Sequence, residues 1–96
     1  MVLGFDTSSS AEYVAIQMVS KKGPNAQSAF VLVKQSTLPF NPVGACGSLG
    51  CRWGDYSGAT PDPAASLGAT NGEVWLTNEW TDGPSARPTW NWEALP

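Results

Sequence analysis

Residues 73–80 read Glu-Val-Trp-Leu-Thr-Asn-Glu-Trp, and this stretch decides the fold. Val74, Leu76 and Trp80 fall on one side of an extended chain, and Trp75 falls on the other. Apolar side chains with a period of two are typical of a β-strand, but here large ones occupy both faces. A sheet with water on one side shows apolar and polar residues in alternation. We therefore expect this strand to lie in a sheet that is covered on both faces.

The rest of the chain has the same character. Its 10 glycines and 8 prolines fall between short apolar segments, which favours strands and turns over helices. The pattern predicts strands at residues 1–5, 12–20, 28–35, 56–60, 73–80 and 89–95. The polar residues 6–10 are expected to form a turn that ends the first strand.

These strands divide the 96 residues into two similar halves. Residues 1–40 are predicted to form a first three-stranded meander and residues 52–96 a second one. Residues 41–51, rich in Pro and Gly, connect them. The predicted fold class is all-β, with antiparallel meander sheets that are propeller-blade-like; a small β-sandwich is the alternative.

Composition excludes several classes of function. Charged residues make up 14% of the chain, and the net charge is −3 with scattered cations, so we expect no nucleic-acid binding. No apolar run approaches the roughly 18–20 residues of a membrane span. Histidine is absent, which removes the Ser-His-Asp triad, the Cys-His pair and the histidine zinc site. We therefore predict a non-enzymatic protein with no catalytic residue, no cofactor and no metal.

The chain has two cysteines, Cys46 and Cys51, on either side of Gly-Ser-Leu-Gly. They are too few for a four-cysteine metal site, and their spacing is not that of a Cys-x-x-Cys redox motif. We predict a local disulfide and therefore an extracellular or secreted protein. The alternative is a pair of buried thiols in a reducing cytoplasm.

Residues 52–58 read Arg-Trp-Gly-Asp-Tyr-Ser-Gly and are followed by Pro-Asp-Pro at 61–63 and by the strand at 74–80. This run resembles a segment near the carboxyl end of secreted bacterial β-propeller proteins of the sialidase-like, BNR-repeat type, in which it opens a blade. The match covers about 30 residues. The Asp-box of true sialidases is absent, so their catalytic residues are not carried over. The resemblance implies incomplete blades with exposed strand edges.

Candidate binding residues are the aromatic and acidic side chains near the predicted loops, namely Trp53, Asp55, Tyr56, Trp80 and Trp90. Exposed aromatic rings suit the apolar faces of sugars, although packing within and between sheets is the simpler role for them. The carboxylates of Asp55, Asp62, Glu79 and Glu93 could hold calcium or act in a glycosidase only if they converge in space, which the sequence does not show.

Low charge, two-sided strands and missing closure together predict self-association. We expect a structural or self-assembly β module, as a homo-oligomer or as part of a larger parent assembly such as a secreted propeller protein. A carbohydrate-binding module that uses exposed aromatics is the alternative, with a glycan as its partner. A glycoside hydrolase fragment is a weaker alternative.

Overall fold

The computed structural model of the chain describes residues 1–41, 46, 51–65 and 72–96. These residues form two antiparallel three-stranded sheets, in the orders β1-β2-β3 and β4-β5-β6. The strands are β1 (Val2–Ser9), β2 (Glu12–Ser20), β3 (Val31–Gln35), β4 (Gly58–Pro61), β5 (Val74–Glu79) and β6 (Thr89–Ala94). The prediction of an all-β fold built from antiparallel meanders is confirmed.

The strand limits differ from the predictions mainly at β1, β3 and β4. The turn expected at residues 6–10 is wrong, because β1 continues to Ser9, with Asp6 opposite Ile16 and Thr7 opposite Ala15. Pairing with β2 thus overrides the turn preference of a polar, serine-rich segment. The third strand begins at Val31 rather than at residue 28, and the fourth at Gly58 rather than at residue 56. Of the predicted connection at 41–51, residues 42–45 and 47–50 lie outside the described residues.

One face of each sheet, which we call its inner face, packs against the other sheet. The core that they share contains Ile16, Leu76, Trp92 and Ala94, surrounded by Val2, Met18, Val33, Val74 and Trp80. Leu76 lies in this core opposite its cross-strand partner Trp92, and Val74 packs against the same core. The predicted placement of Val74 and Leu76 on one side of their strand is therefore confirmed. Both sheets contribute to this core, Ile16 from the first sheet and Leu76, Trp92 and Ala94 from the second.

The opposite, outer faces carry many exposed side chains in the described part of the chain, although Ala15 and Val19 of the first sheet are buried there. The outer face of the first sheet has a cluster of apolar side chains, Leu3, Phe5, Val19, Phe30 and Leu32, beside the polar Thr7 and Gln17, and Phe5 and Phe30 meet edge to face at 5.4 Å. The outer face of the second sheet forms a shallow groove of about 480 Å³, which Gly58, Thr60, Trp75, Thr77 and Asn91 line.

Cys46 and Cys51 are joined by a disulfide, with their Cα atoms 4.7 Å apart. The predicted disulfide is therefore present in the structure. It closes a short loop directly before the segment that begins with Arg52.

Within the described ranges, no helix is long and apolar enough to cross a membrane.

Candidate functional site

The Arg-Trp-Gly-Asp-Tyr-Ser-Gly segment at 52–58 docks onto both sheets. Gly54 has φ of +80°, in the left-handed region that favours glycine. This conformation accompanies a hydrogen bond from the Gly54 amide to the carboxylate of Glu79, at 2.8 Å. Arg52 and Asp55 form an exposed ion pair at 3.1 Å, of the kind that adds little stability. The segment is therefore attached to β5 through its backbone at Gly54, and Arg52 and Asp55 pair with each other.

Trp53 begins a chain of hydrogen bonds that runs across the interface between the sheets. Its indole N–H donates to one carboxylate oxygen of Asp6 at 2.8 Å. The amide of Asn78 donates to the other oxygen of Asp6 at 3.1 Å, and its carbonyl accepts from the indole of Trp92 at 3.2 Å. The three hydrogen bonds link four side chains in series, so each bond restrains the orientation of its neighbours.

Asp6 is half-buried, and its surroundings favour the neutral acid. Burial raises the pKa of Asp6 above the ordinary value of 3.8, and the nearby negative charge of Glu79 acts in the same direction. The hydrogen bonds from Trp53 and Asn78 oppose this shift without cancelling it. Because both oxygens of Asp6 already accept hydrogen bonds, we assign this carboxylate to the structural network rather than to a reaction.

The raised pKa of Asp6 makes folding stability depend on pH. The folded chain holds this proton more tightly than the unfolded chain, so stability should fall as the pH rises from 3.8 through the raised pKa. Urea unfolding of the wild type and of Asp6→Asn, followed by circular dichroism between pH 3.5 and about 7, measures this effect. We expect the advantage of the wild type over the variant to shrink as the pH rises across this window.

Asp62 provides the matched control, because its pKa is shifted in the opposite direction. The backbone N–H of Ala65, the indole of Trp75 and the N–H of Ala64 all donate to it and lower its pKa below 3.8. Asp62→Asn should therefore not reproduce the change seen in Asp6→Asn, because it removes a group whose contribution to stability rises with pH instead of falling. An identical slope in the wild type and Asp6→Asn would contradict the assignment.

A groove of about 430 Å³ opens beside Trp53, between the β1–β2 hairpin and the segment that follows β3. Its aromatic walls are Tyr13, Phe40 and Trp53, and its polar groups include Ser8, Ser9, Glu12 and Asn41. Phe40 meets Trp53 edge to face at 5.3 Å. The other side chains predicted for binding lie elsewhere: Tyr56 is 68% exposed and Asp55 pairs with Arg52.

Trp80 and Trp90 meet each other edge to face at 5.8 Å. The ammonium group of Lys34, on β3, lies 4.5 Å from the ring centroid of Trp80 and 4.1 Å from that of Trp90. This cation–π arrangement joins the first sheet to the second. The structure therefore brings Trp80 and Trp90 together but gives them a partner within the chain.

The acidic residues named from the sequence do not form one group. Asp62 and Glu93 lie together with Glu73, and the three carboxylates have oxygens within 4.8 Å of one another. A side-chain hydrogen bond with Glu73 is the largest cause that raises the pKa of Glu93 above its ordinary value of 4.5. Asp55 and Glu79 have the separate partners described above.

The sequence did not single out Asp6, Asn78, Glu12, Phe40 or Asn41. Asp6 and Asn78 are 72 positions apart, and no local pattern relates them. Comparisons with protein-family models, curated proteins and solved structures find no match for this chain. The functional conclusion therefore depends on the geometry and chemistry of the molecule itself.

Proposed function

We propose that the chain is a non-enzymatic structural β module that assembles by stacking its outer sheet faces on those of further copies. In this arrangement each pair of sheets resembles two neighbouring blades of a propeller, and the assembly adds blades by repetition. The sequence resemblance to secreted sialidase-like propellers supports this interpretation, since blades in that fold pack face to face around a ring.

The observation that carries the proposal is the apolar outer face of the first sheet. Leu3, Phe30 and Leu32 are 53%, 66% and 57% exposed. Leu3 and Leu32 lie on the two edge strands of this face, on either side of β2, and Phe30 contacts Phe5. A contiguous apolar surface of this kind on a small domain marks an interaction site. No ionisable side chain belongs to this cluster, so another apolar surface is the partner that it fits.

The outer groove of the second sheet offers such a surface. Gly58 and Thr77 line this groove with small side chains, and Trp75, which is 42% exposed, lines it with a large one. Protruding leucine and phenylalanine side chains of one copy can enter this groove in the next copy. The two surfaces differ, so the contact is heterologous and can build a ring or an open stack.

The small core supports the same conclusion. Among the described residues, the buried apolar side chains are Ala15, Ile16, Val19, Leu76, Trp92 and Ala94. Several larger apolar side chains remain exposed, and covering them on assembly would extend the core. The disulfide is consistent with an extracellular location, where such bonds persist.

Association should weaken strongly when the first-sheet outer face is made polar. We expect the wild type to show a mass above 10.1 kDa that rises with concentration in light scattering and sedimentation. Burial of one leucine or phenylalanine contributes about 1.5–3 kcal/mol. The double variant Phe30→Ser and Leu32→Ser should therefore associate at least ~100-fold more weakly. Leu38→Ser, an exposed leucine outside both sheets, is the matched control and should associate like the wild type.

Mixing two variants tests the heterologous geometry. Asn91→Lys places a charge at the groove of the second sheet and leaves the first-sheet face intact. In a mixture of the two variants, Asn91→Lys keeps the first-sheet face and the Phe30/Leu32 variant keeps the second-sheet groove. One intact contact is therefore possible between them, and the mixture should form heterodimers but no larger species. A wild type that remains a 10.1 kDa monomer at all concentrations would overturn the proposal.

A further inference from the structure

The groove beside Trp53 combines aromatic walls with a polar rim. Tyr13 is 47% exposed, and together with Phe40 and Trp53 it supplies the apolar surface. Glu12 and Asn41 supply a carboxylate and an amide at the same groove, along with two serine hydroxyls. The volume of about 430 Å³ lies within the range of small-molecule sites.

We infer that this groove binds a neutral saccharide of one or two pyranose units. A pyranose ring has an apolar C–H face, which packs on aromatic rings, and an edge of hydroxyl groups, which needs hydrogen-bond donors and acceptors nearby. The Glu12 carboxylate accepts hydrogen bonds from two adjacent hydroxyls, and the Asn41 amide both donates and accepts. The groove therefore provides both kinds of contact within one ligand-sized space.

The indole of Trp53 is held in place before any ligand arrives. Its N–H is bound to Asp6 at 2.8 Å, and Phe40 packs against its ring at 5.3 Å. The disulfide between Cys46 and Cys51 forms part of the same groove wall. A fixed aromatic wall loses little conformational freedom on binding, which favours recognition of a weakly held ligand such as a sugar.

The charges around the groove select for a neutral ligand. Glu12 is the charged side chain among the described residues that line it, and it disfavours sugars that carry carboxylate or sulfate groups. A quaternary ammonium ligand would need free aromatic faces. The guanidinium of Arg87 lies 5.2 Å from the ring centroid of Phe40, so a cation already occupies one face of that ring.

This inference is independent of the proposed assembly. The apolar residues of the first-sheet outer face, including Phe30 and Leu32, do not line this groove, and it shares no lining residue with the groove of the second sheet. Sugar binding can therefore be measured in the Phe30→Ser and Leu32→Ser variant as well as in the wild type. Failure of self-association would leave the saccharide result unaffected.

The test is a titration of ¹⁵N-labelled protein with glucose, galactose, N-acetylglucosamine and their β-linked disaccharides. We expect at least one of these sugars to shift the indole resonance of Trp53 and the backbone resonances of Glu12 and Tyr13, with saturation in the range of about 1–10 mM. Tyr13→Ala and Glu12→Gln should each weaken binding about tenfold. Both side chains lie at the surface, and neither is part of the core.

Tyr56→Ala is the matched control, because Tyr56 is an exposed tyrosine outside the groove. It should bind the sugar as the wild type does. The inference is overturned if none of these sugars produces a saturable shift, or if all three variants bind equally well. It is also overturned if choline or a proline-rich peptide occupies the groove while the sugars do not.

Discussion

Replacement of Trp92 by alanine is expected to lower the free energy of unfolding by about 3–5 kcal/mol. Trp92 is 7% exposed and lies in the core that both sheets share. Truncation removes the largest side chain of this core and leaves the carbonyl of Asn78 without the indole N–H that it accepts from. Cavity formation and the loss of a buried hydrogen bond act in the same direction. Urea unfolding followed by far-ultraviolet circular dichroism measures the change.

Two further variants keep this prediction testable if Trp92→Ala does not fold. Trp92→Phe retains an aromatic ring but loses the N–H, so it should cost about 1–3 kcal/mol. Trp75→Ala removes an indole from the neighbouring strand, but from the outer face, where Trp75 is 42% exposed. We expect it to cost about 1 kcal/mol or less at protein concentrations too low for association. Equal losses for Trp75→Ala and Trp92→Ala would contradict the assignment of inner and outer faces.

The sequence predicts most of the fold because the strands are encoded locally. The second strand, residues 12–20, has the predicted limits, and the last two strands agree within one residue at each end. Alternation also places Val74 and Leu76 on the buried side. The extension of β1 through Asp6 could not be predicted, because its cause is pairing with β2 and the donors that converge on Asp6.

The candidate site is less predictable, because its contacts join distant parts of the chain. Trp53 was singled out, but its partner Asp6 is 47 positions away. Lys34 has the sequence context of an ordinary exposed cation, yet it lies over two tryptophan rings of the other sheet. Side-chain contacts between sheets depend on register and on the packing of the two faces, and a single sequence contains no direct signal for either.

The network across the interface gives the Arg-Trp-Gly-Asp-Tyr-Ser-Gly segment a physical role. Trp53 and Gly54 attach this segment to Asp6 of the first sheet and to Glu79 of the second. The segment therefore fastens the two sheets to each other just before β4 begins. The same attachment positions the indole of Trp53 in the wall of the groove, so one set of contacts serves both the fold and the inferred binding site.

Gly4→Ala is expected to lower the free energy of unfolding by about 1–3 kcal/mol, although alanine ordinarily suits a strand better than glycine. A Cβ atom at this position would lie 2.7 Å from the Trp92 ring, 2.9 Å from Leu76 and 3.2 Å from the Asn78 carbonyl. The ring cannot move away easily, because its N–H is bound to Asn78 and it is packed in the core. The two inner faces would therefore have to separate. Urea unfolding of the variant measures the cost.

Gly58→Ala is the matched control for this effect, because Gly58 is also a strand glycine. A Cβ atom there meets only the methyl group of Thr77, at an ordinary 3.5 Å, so the substitution should be neutral or stabilising by up to about 1 kcal/mol. Trp92→Phe removes the ring atom that crowds Gly4, so Gly4→Ala should cost less in that background than in the wild type. If Gly4→Ala is as well tolerated as Gly58→Ala, or if its cost is unchanged with Phe at position 92, then the sheets do not meet as closely at β1 as the structure shows.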